Sequence, residues 1–114
     1  MRKIETSLAA LLNDIGVFYV PKEWHFLSVN GIDLGGGKIE LQWIFSKYGV
    51  KDEIVIYYAL SDYDTPVPSI VDLIPSAIMG EREIVDMFGL KVDGAAKGLY
   101  LDKDSMKYPL RGEA

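Results

Sequence analysis

A chain of 114 residues is long enough for one compact domain and too short for two. Nearly half of its residues are apolar and a quarter are charged, the profile of a domain with a core rather than of a disordered chain. The formal net charge of −5 argues against an extended nucleic-acid surface, and the lack of cysteine excludes disulfides and any thiolate-held zinc or iron–sulfur site within the chain.

No apolar run approaches the roughly 20 residues of a membrane helix. The start, Met1-Arg2-Lys3-Ile4-Glu5, carries the charge of a signal segment. However, Leu8-Ala9-Ala10-Leu11-Leu12 is cut short by Asn13 and Asp14, and no small-residue cleavage site follows. The chain reads as soluble and cytoplasmic, touching a membrane only through partners.

In chain order, Ile4, Leu8, Leu11, Leu12 and Ile15 recur at helical spacing and Gly16 ends the pattern, which predicts an amphipathic first helix. Residues 17–20 form a short extended piece before Pro21. Residues 24–29 suit a strand, and Asn30-Gly31 is a turn signal. Gly35-Gly36-Gly37 suits a hairpin tip. Gly37-Lys38 is not a phosphate loop, because Ile32 stands where the first glycine belongs and Ile39 where Ser or Thr belongs. From 38 to 45, Ile39, Leu41, Trp43 and Phe45 alternate with Glu40 and Gln42, as in a strand packed on one face. Residues 53–60 are apolar on both faces and read as an inner strand. Residues 61–68 form a loop. Ser69 with Asp72 reads as a capping box opening a short helix, in which Ile70, Leu73 and Ile74 cover the sheet.

A second helix follows at residues 75–89. Pro75 suits its first turn, and Gly89 suits a left-handed stop. On a helical wheel of about 100° per residue, Ala77, Ile78, Ile84, Val85 and Phe88 fall within roughly 60° of Glu81. Glu81 thus sits in the middle of the apolar stripe, where an unpartnered carboxylate costs several kcal/mol. It should be paired, hydrogen-bonded or at an interface, unless a small rotation of the helix brings it to solvent. Arg82, Glu83 and Asp86 lie on the opposite arc, with Arg82 and Asp86 spaced to pair. Residues 90–92 suit a last short strand, and 93–114 an extended tail. The expected architecture is α+β in two layers: an N-terminal helix, a mainly antiparallel sheet of three to five strands, and two consecutive helices packed on it, all within a single domain spanning 1–114.

No constellation amounts to an active site. His25 is the only histidine, so neither a zinc set nor a Ser-His-Asp triad can be assembled. Glu81 and Glu83 point to opposite helix faces and cannot share a proton. Asp62 and Asp64 read as solvated loop acids rather than a calcium loop. Tyr57, Tyr58, Trp43 and Phe45 could line a pocket, but such residues on strands more often form core.

The run Glu81-Arg82-Glu83-Ile84-Val85-Asp86-Met87-Phe88-Gly89-Leu90 resembles the signature of the 30-kDa subunit of respiratory complex I. The same domain occurs in the small hydrophilic subunit of energy-converting nickel–iron hydrogenases. The likeness extends upstream through residues 67–77 and reappears in Tyr108-Pro109-Leu110-Arg111. It implies a non-catalytic structural subunit with no cofactor or metal of its own. Its implied partners are the large subunit, 49-kDa-like or nickel–iron, and other subunits of the peripheral arm. Glu81, Arg82, Glu83, Asp86, Phe88 and Gly89 match the core motif, and Pro109, Leu110 and Arg111 match the C-terminal contact segment. Residues 93–100 depart from the family's Gly-His-Pro-Asp-Leu-Arg-Arg run, and Met79-Gly80 replaces its usual Trp. With the short C-terminus, these departures favour the hydrogenase branch. The competing reading is a free-standing small-molecule-binding domain using the strand aromatics and Glu81; a small hydrolase using Glu81 or Asp86 lacks a second catalytic group.

Overall fold

The computed structural model describes residues 1–93, so the expected tail from 94 onward, with Pro109, Leu110 and Arg111, lies outside the described residues. The elements in order are β1 (Arg2–Glu5), α1 (Leu11–Phe18), β2 (Trp24–Gly35), β3 (Lys38–Lys47), β4 (Ile54–Asp62), β5 (Val67–Pro68), α2 (Ile78–Phe88) and β6 (Val92–Asp93). A four-stranded sheet runs in the order β1-β4-β3-β2, and β5 pairs with β6 in a separate two-stranded ladder. Fold class and layering agree with the sequence reading, and the sheet is mixed rather than wholly antiparallel.

The centre is a long hairpin. β2 and β3 pair from Trp24↔Lys47 to Gly35↔Lys38, with irregularities between Phe26 and Ser28 and between Asp33 and Gly35. The glycine tip falls where expected. β4 then pairs with β3 antiparallel along its whole length and occupies an inner position. Ile39, Leu41, Trp43 and Phe45 are fully buried, as the alternation demanded. Val55, Tyr57 and Ala59 of β4 face the same side. Phe45 anchors an aromatic cluster, with the Phe18 and Phe26 rings edge-on at 5.1 and 5.4 Å, an arrangement that stabilises beyond burial alone.

Three expectations fail, each for a physical reason. The first helix does not include Ile4. Residues 2–5 form β1, hydrogen-bonded parallel to β4 with Ile4 opposite Tyr57, because the free edge of β4 offers backbone partners that override a loose helical spacing. α1 starts only at Leu11 and runs through Gly16 to Phe18. Asn30-Gly31 is not a turn; both residues lie inside β2, opposite Gln42 and Leu41. The helix expected at Ser69 is a single turn, in which the Leu73 and Ile74 N–H groups donate to the Ile70 carbonyl. Among the described residues of this half, only α2, entered through one 3₁₀ turn at Pro75–Ala77, forms a full helix.

Gly31 has a packing role instead. A methyl group built on it would lie 2.7 Å from Cε2 of Phe88 and 3.1 Å from Cδ1 of Ile39. The missing side chain lets the last turn of α2 rest on the backbone of β2, one reason for a glycine inside a strand. Gly80 similarly approaches Val29. Gly31→Ala is expected to destabilise the fold by about 1–3 kcal/mol, the usual penalty of overpacking, measured as a lowered urea midpoint at unchanged slope. Phe88→Leu in the same chain should recover part of that loss; strictly additive losses would show that the two residues do not share this contact.

Candidate functional site

α2 is defined at both ends by local chemistry. Pro75 takes the first position of the 3₁₀ turn, where its missing N–H leaves nothing unsatisfied. Gly89 closes the helix at φ 72°, and its N–H donates to the Val85 carbonyl at 2.9 Å. Ala77, Ile84 and Phe88 are buried, and Ile78 and Val85 half-buried, so the apolar stripe packs as its spacing requires.

Glu81 lies in the middle of that stripe and is 4 % exposed. Its carboxylate does not reach the rim. The Ser69 hydroxyl donates to Oε1 at 2.6 Å, and the Ile70 N–H donates to Oε2 at 2.7 Å. Ser69 Oγ in turn accepts from the Val71 N–H at 3.2 Å. Burial pushes the Glu81 carboxyl above the ordinary carboxylate value, and the Ser69 and Ile70 hydrogen bonds oppose the rise. Among the described residues, no buried side-chain polar atom lacks a hydrogen-bond partner.

The Ser69–Ile70 turn is itself held in place. The Val67 N–H donates to the Lys91 carbonyl and the Ser69 N–H to the Asp93 carbonyl, both at 2.7 Å. These bonds form the parallel ladder of β5 on β6. The strands before and after α2 are therefore joined, and Glu81 ties the helix to the turn between them. Both carboxylate oxygens are committed to neutral donors, with no cation among them. That arrangement, with Glu81 shut off from solvent, suits a structural clasp.

The motif residues separate into two sets. Glu81 and Phe88 turn inward, and Gly89 caps. Arg82 and Glu83 are exposed and Asp86 half-buried. The spacing of Arg82 and Asp86 allows a pair, but the only ion pair among the described residues joins Lys3 to Glu40 at 2.9 Å, on the sheet face away from the helices. Two residues that complete the inward set escaped the sequence reading. Gly31 could have been found, because an isolated glycine in a strand signals close backbone approach. Ser69 could not, since nothing in its spacing links it to a residue 12 positions away.

Other candidate residues do not converge on a reaction centre. Trp43 and Phe45 fill the core, and Tyr57, nearly buried with them, also borders an open hollow with Ile4, Asp14 and Phe18. His25 is exposed, with Nδ1 at 3.3 Å from the Tyr48 hydroxyl. Asp62 Oδ1 accepts from the N–H groups of Asp64 and Thr65, which closes its own loop. Among the described residues, no three His, Asp or Glu side chains are grouped to hold a metal, and no helix is long and apolar enough to cross a membrane.

A motif helix clasped from within and charged without marks this α+β module. The chain belongs to the family described as the respiratory-chain NADH dehydrogenase 30-kDa subunit, whose model matches residues 8–114. Membership makes it a subunit type of a multisubunit complex of the NADH dehydrogenase class. No curated protein matches the chain.

Glu81→Ala would strand the Ser69 hydroxyl and the Ile70 N–H and should cost about 2–4 kcal/mol, read by urea unfolding; Glu81→Gln, which keeps one acceptor, should cost less. The pH dependence follows from the raised carboxyl. The folded state binds the proton more tightly than the unfolded state, so stability falls as pH rises from about 4.3, the unperturbed value, through the raised folded value. Glu81→Gln should flatten that slope. A wild-type slope that survives in the Gln variant would assign it to another group.

Proposed function

We propose that this chain is a non-catalytic assembly subunit of a membrane-associated, electron-transferring oxidoreductase, holding no cofactor of its own. The complex is either an NADH:quinone oxidoreductase or an energy-converting hydrogenase. The chain docks on its large subunit, 49-kDa-like or nickel–iron, and contacts other peripheral-arm subunits on the cytoplasmic side. Glu81, Phe88 and Gly89 shape and orient α2; Arg82, Glu83 and Asp86 meet the partner, joined by Pro109, Leu110 and Arg111 from the C-terminal segment.

The carrying observation is the division within one helix. A cluster of charges stands outward without ion pairs among the described residues, while the acid beside it is buried and satisfied. Charges left unpaired on a rigidly oriented helix suit an interface, where Arg and carboxylates find partners on association. The far face of the sheet adds support. Ile32 and Leu60 are exposed there, and Ile44, Ile54, Ile56 and Tyr58 are half-buried. An antiparallel sheet whose outer face meets only water is normally polar on that side, so an apolar outer face suits a chain that works within a larger assembly. A free-standing binding domain built on the strand aromatics has less support, because Trp43 and Phe45 are core and Tyr58 lies on the opposite face of the sheet.

The test is affinity purification of the tagged chain from its own host at native level, with the co-purifying chains identified by mass. The large subunit should be recovered, and its identity decides between the two branches. Combining Arg82→Glu with Asp86→Arg should reduce that recovery about tenfold or more, given the 2–5 kcal/mol that breaking a desolvated charge pair costs. Recovery of the chain alone would overturn the docking reading.

A further inference from the structure

Where α2 crosses β2, the two elements leave a small open notch of about 80 Å³. Its floor is apolar, made by Gly31, Ile84 and Phe88, with Met87 as one wall. Its charged lining is Glu83 from α2, and Asn30 borders it from β2. Ligand pockets for drug-sized molecules run to about 300–1,000 Å³; this notch has room for one side-chain head group.

We infer that the notch receives the guanidinium of an arginine from the partner subunit, seated over the apolar floor and held by Glu83. The inference rests on the docking reading of α2. Charge complementarity selects the occupant. Glu83 is exposed and makes no ion pair among the described residues. Arg82 does not neutralise it, since it projects about 100° away around the helix. Among the described residues, no cationic side chain lines the notch. Asp86, one turn further along α2, and the net charge of −5 add to the negative potential.

The floor chooses arginine over lysine. A lysine ammonium is compact and strongly hydrated and gives up that water at high cost against apolar atoms. A guanidinium is planar and more weakly hydrated, lies flat on apolar surface, and keeps its edge for a carboxylate. β2 is an edge strand of its sheet, so a partner segment can approach beside Asn30 without displacing another strand.

The experiment uses the isotope-labelled full chain and follows backbone and side-chain amides by NMR during titration with N-acetyl-arginine amide. The neutral isostere N-acetyl-citrulline amide is the control. Arginine should produce saturable shifts centred on Asn30, Gly31 and Met87, and citrulline none. Glu83→Gln should weaken the arginine effect about threefold or more, the scale of one rim ion pair, while the rest of its spectrum shows the fold intact. Equal shifts with citrulline, an unchanged titration in Glu83→Gln, or shifts scattered over other carboxylates would each overturn the inference. Failure of the docking reading is separately visible. A chain that binds arginine at the notch but recovers no large subunit from its host keeps the site and loses the partner assigned to it.

Discussion

The second half of the fold depends on two hydrogen bonds accepted by one buried carboxylate. α2 has 11 residues, a length at which an isolated helix is marginal in water. It persists because its apolar stripe is packed and because Glu81 binds the turn that follows β5. β5 is bonded to β6, and β6 lies just beyond the cap of α2. The helix is thus fixed at both ends and clasped in the middle, and its rotation about its own axis is set. At about 100° per residue, a slip of one position would turn Glu81 out of its donors and bring Arg82 toward them.

The same constraint decides what the helix shows to the outside. Fixing Glu81 inward places Glu83 beside β2 and leaves Arg82 and Asp86 on the outer flank. The close approaches at Gly31 and Gly80 bring the helix down onto the strand, so that Glu83 and Asn30 border one notch. The family motif therefore combines two tasks on one element. The inward residues fix the rotation of the helix, and the outward residues are held in one orientation by it; on the proposed docking they use that orientation.

Much of this was legible in the sequence, for a clear reason. The β2–β3–β4 framework announces itself through strict alternation, since each strand packs one face on a common core. The ends of α2 are equally clear, because proline and glycine act locally at known positions. The burial of Glu81 could be anticipated from the wheel as one of two outcomes. What could not be read was every feature set by a distant contact. Residues 2–5 become a strand because β4 has a free edge, and no local pattern states that. Ser69 carries a capping pattern and its oxygen does accept from the Val71 N–H, but its proton goes to Glu81, a donation that no local pattern states. Gly31 has the local chemistry of a turn and the tertiary role of a seat for Phe88.

A buried carboxylate is a poor device for stability alone. Apolar replacements of buried charged groups are often as stable or more so, since the desolvation penalty disappears. Here, however, an apolar side chain at position 81 would leave the Ser69 hydroxyl and the Ile70 N–H without an acceptor, in a turn whose backbone is already committed to β6. The carboxylate answers two donors on adjacent residues at once, and only one helix rotation lets it do so. Its contribution is thus directional: competing rotations of α2, similar in apolar burial, are penalised by two unsatisfied donors. For a helix proposed to present charges to a partner, a single rotation matters more than another kcal/mol of burial.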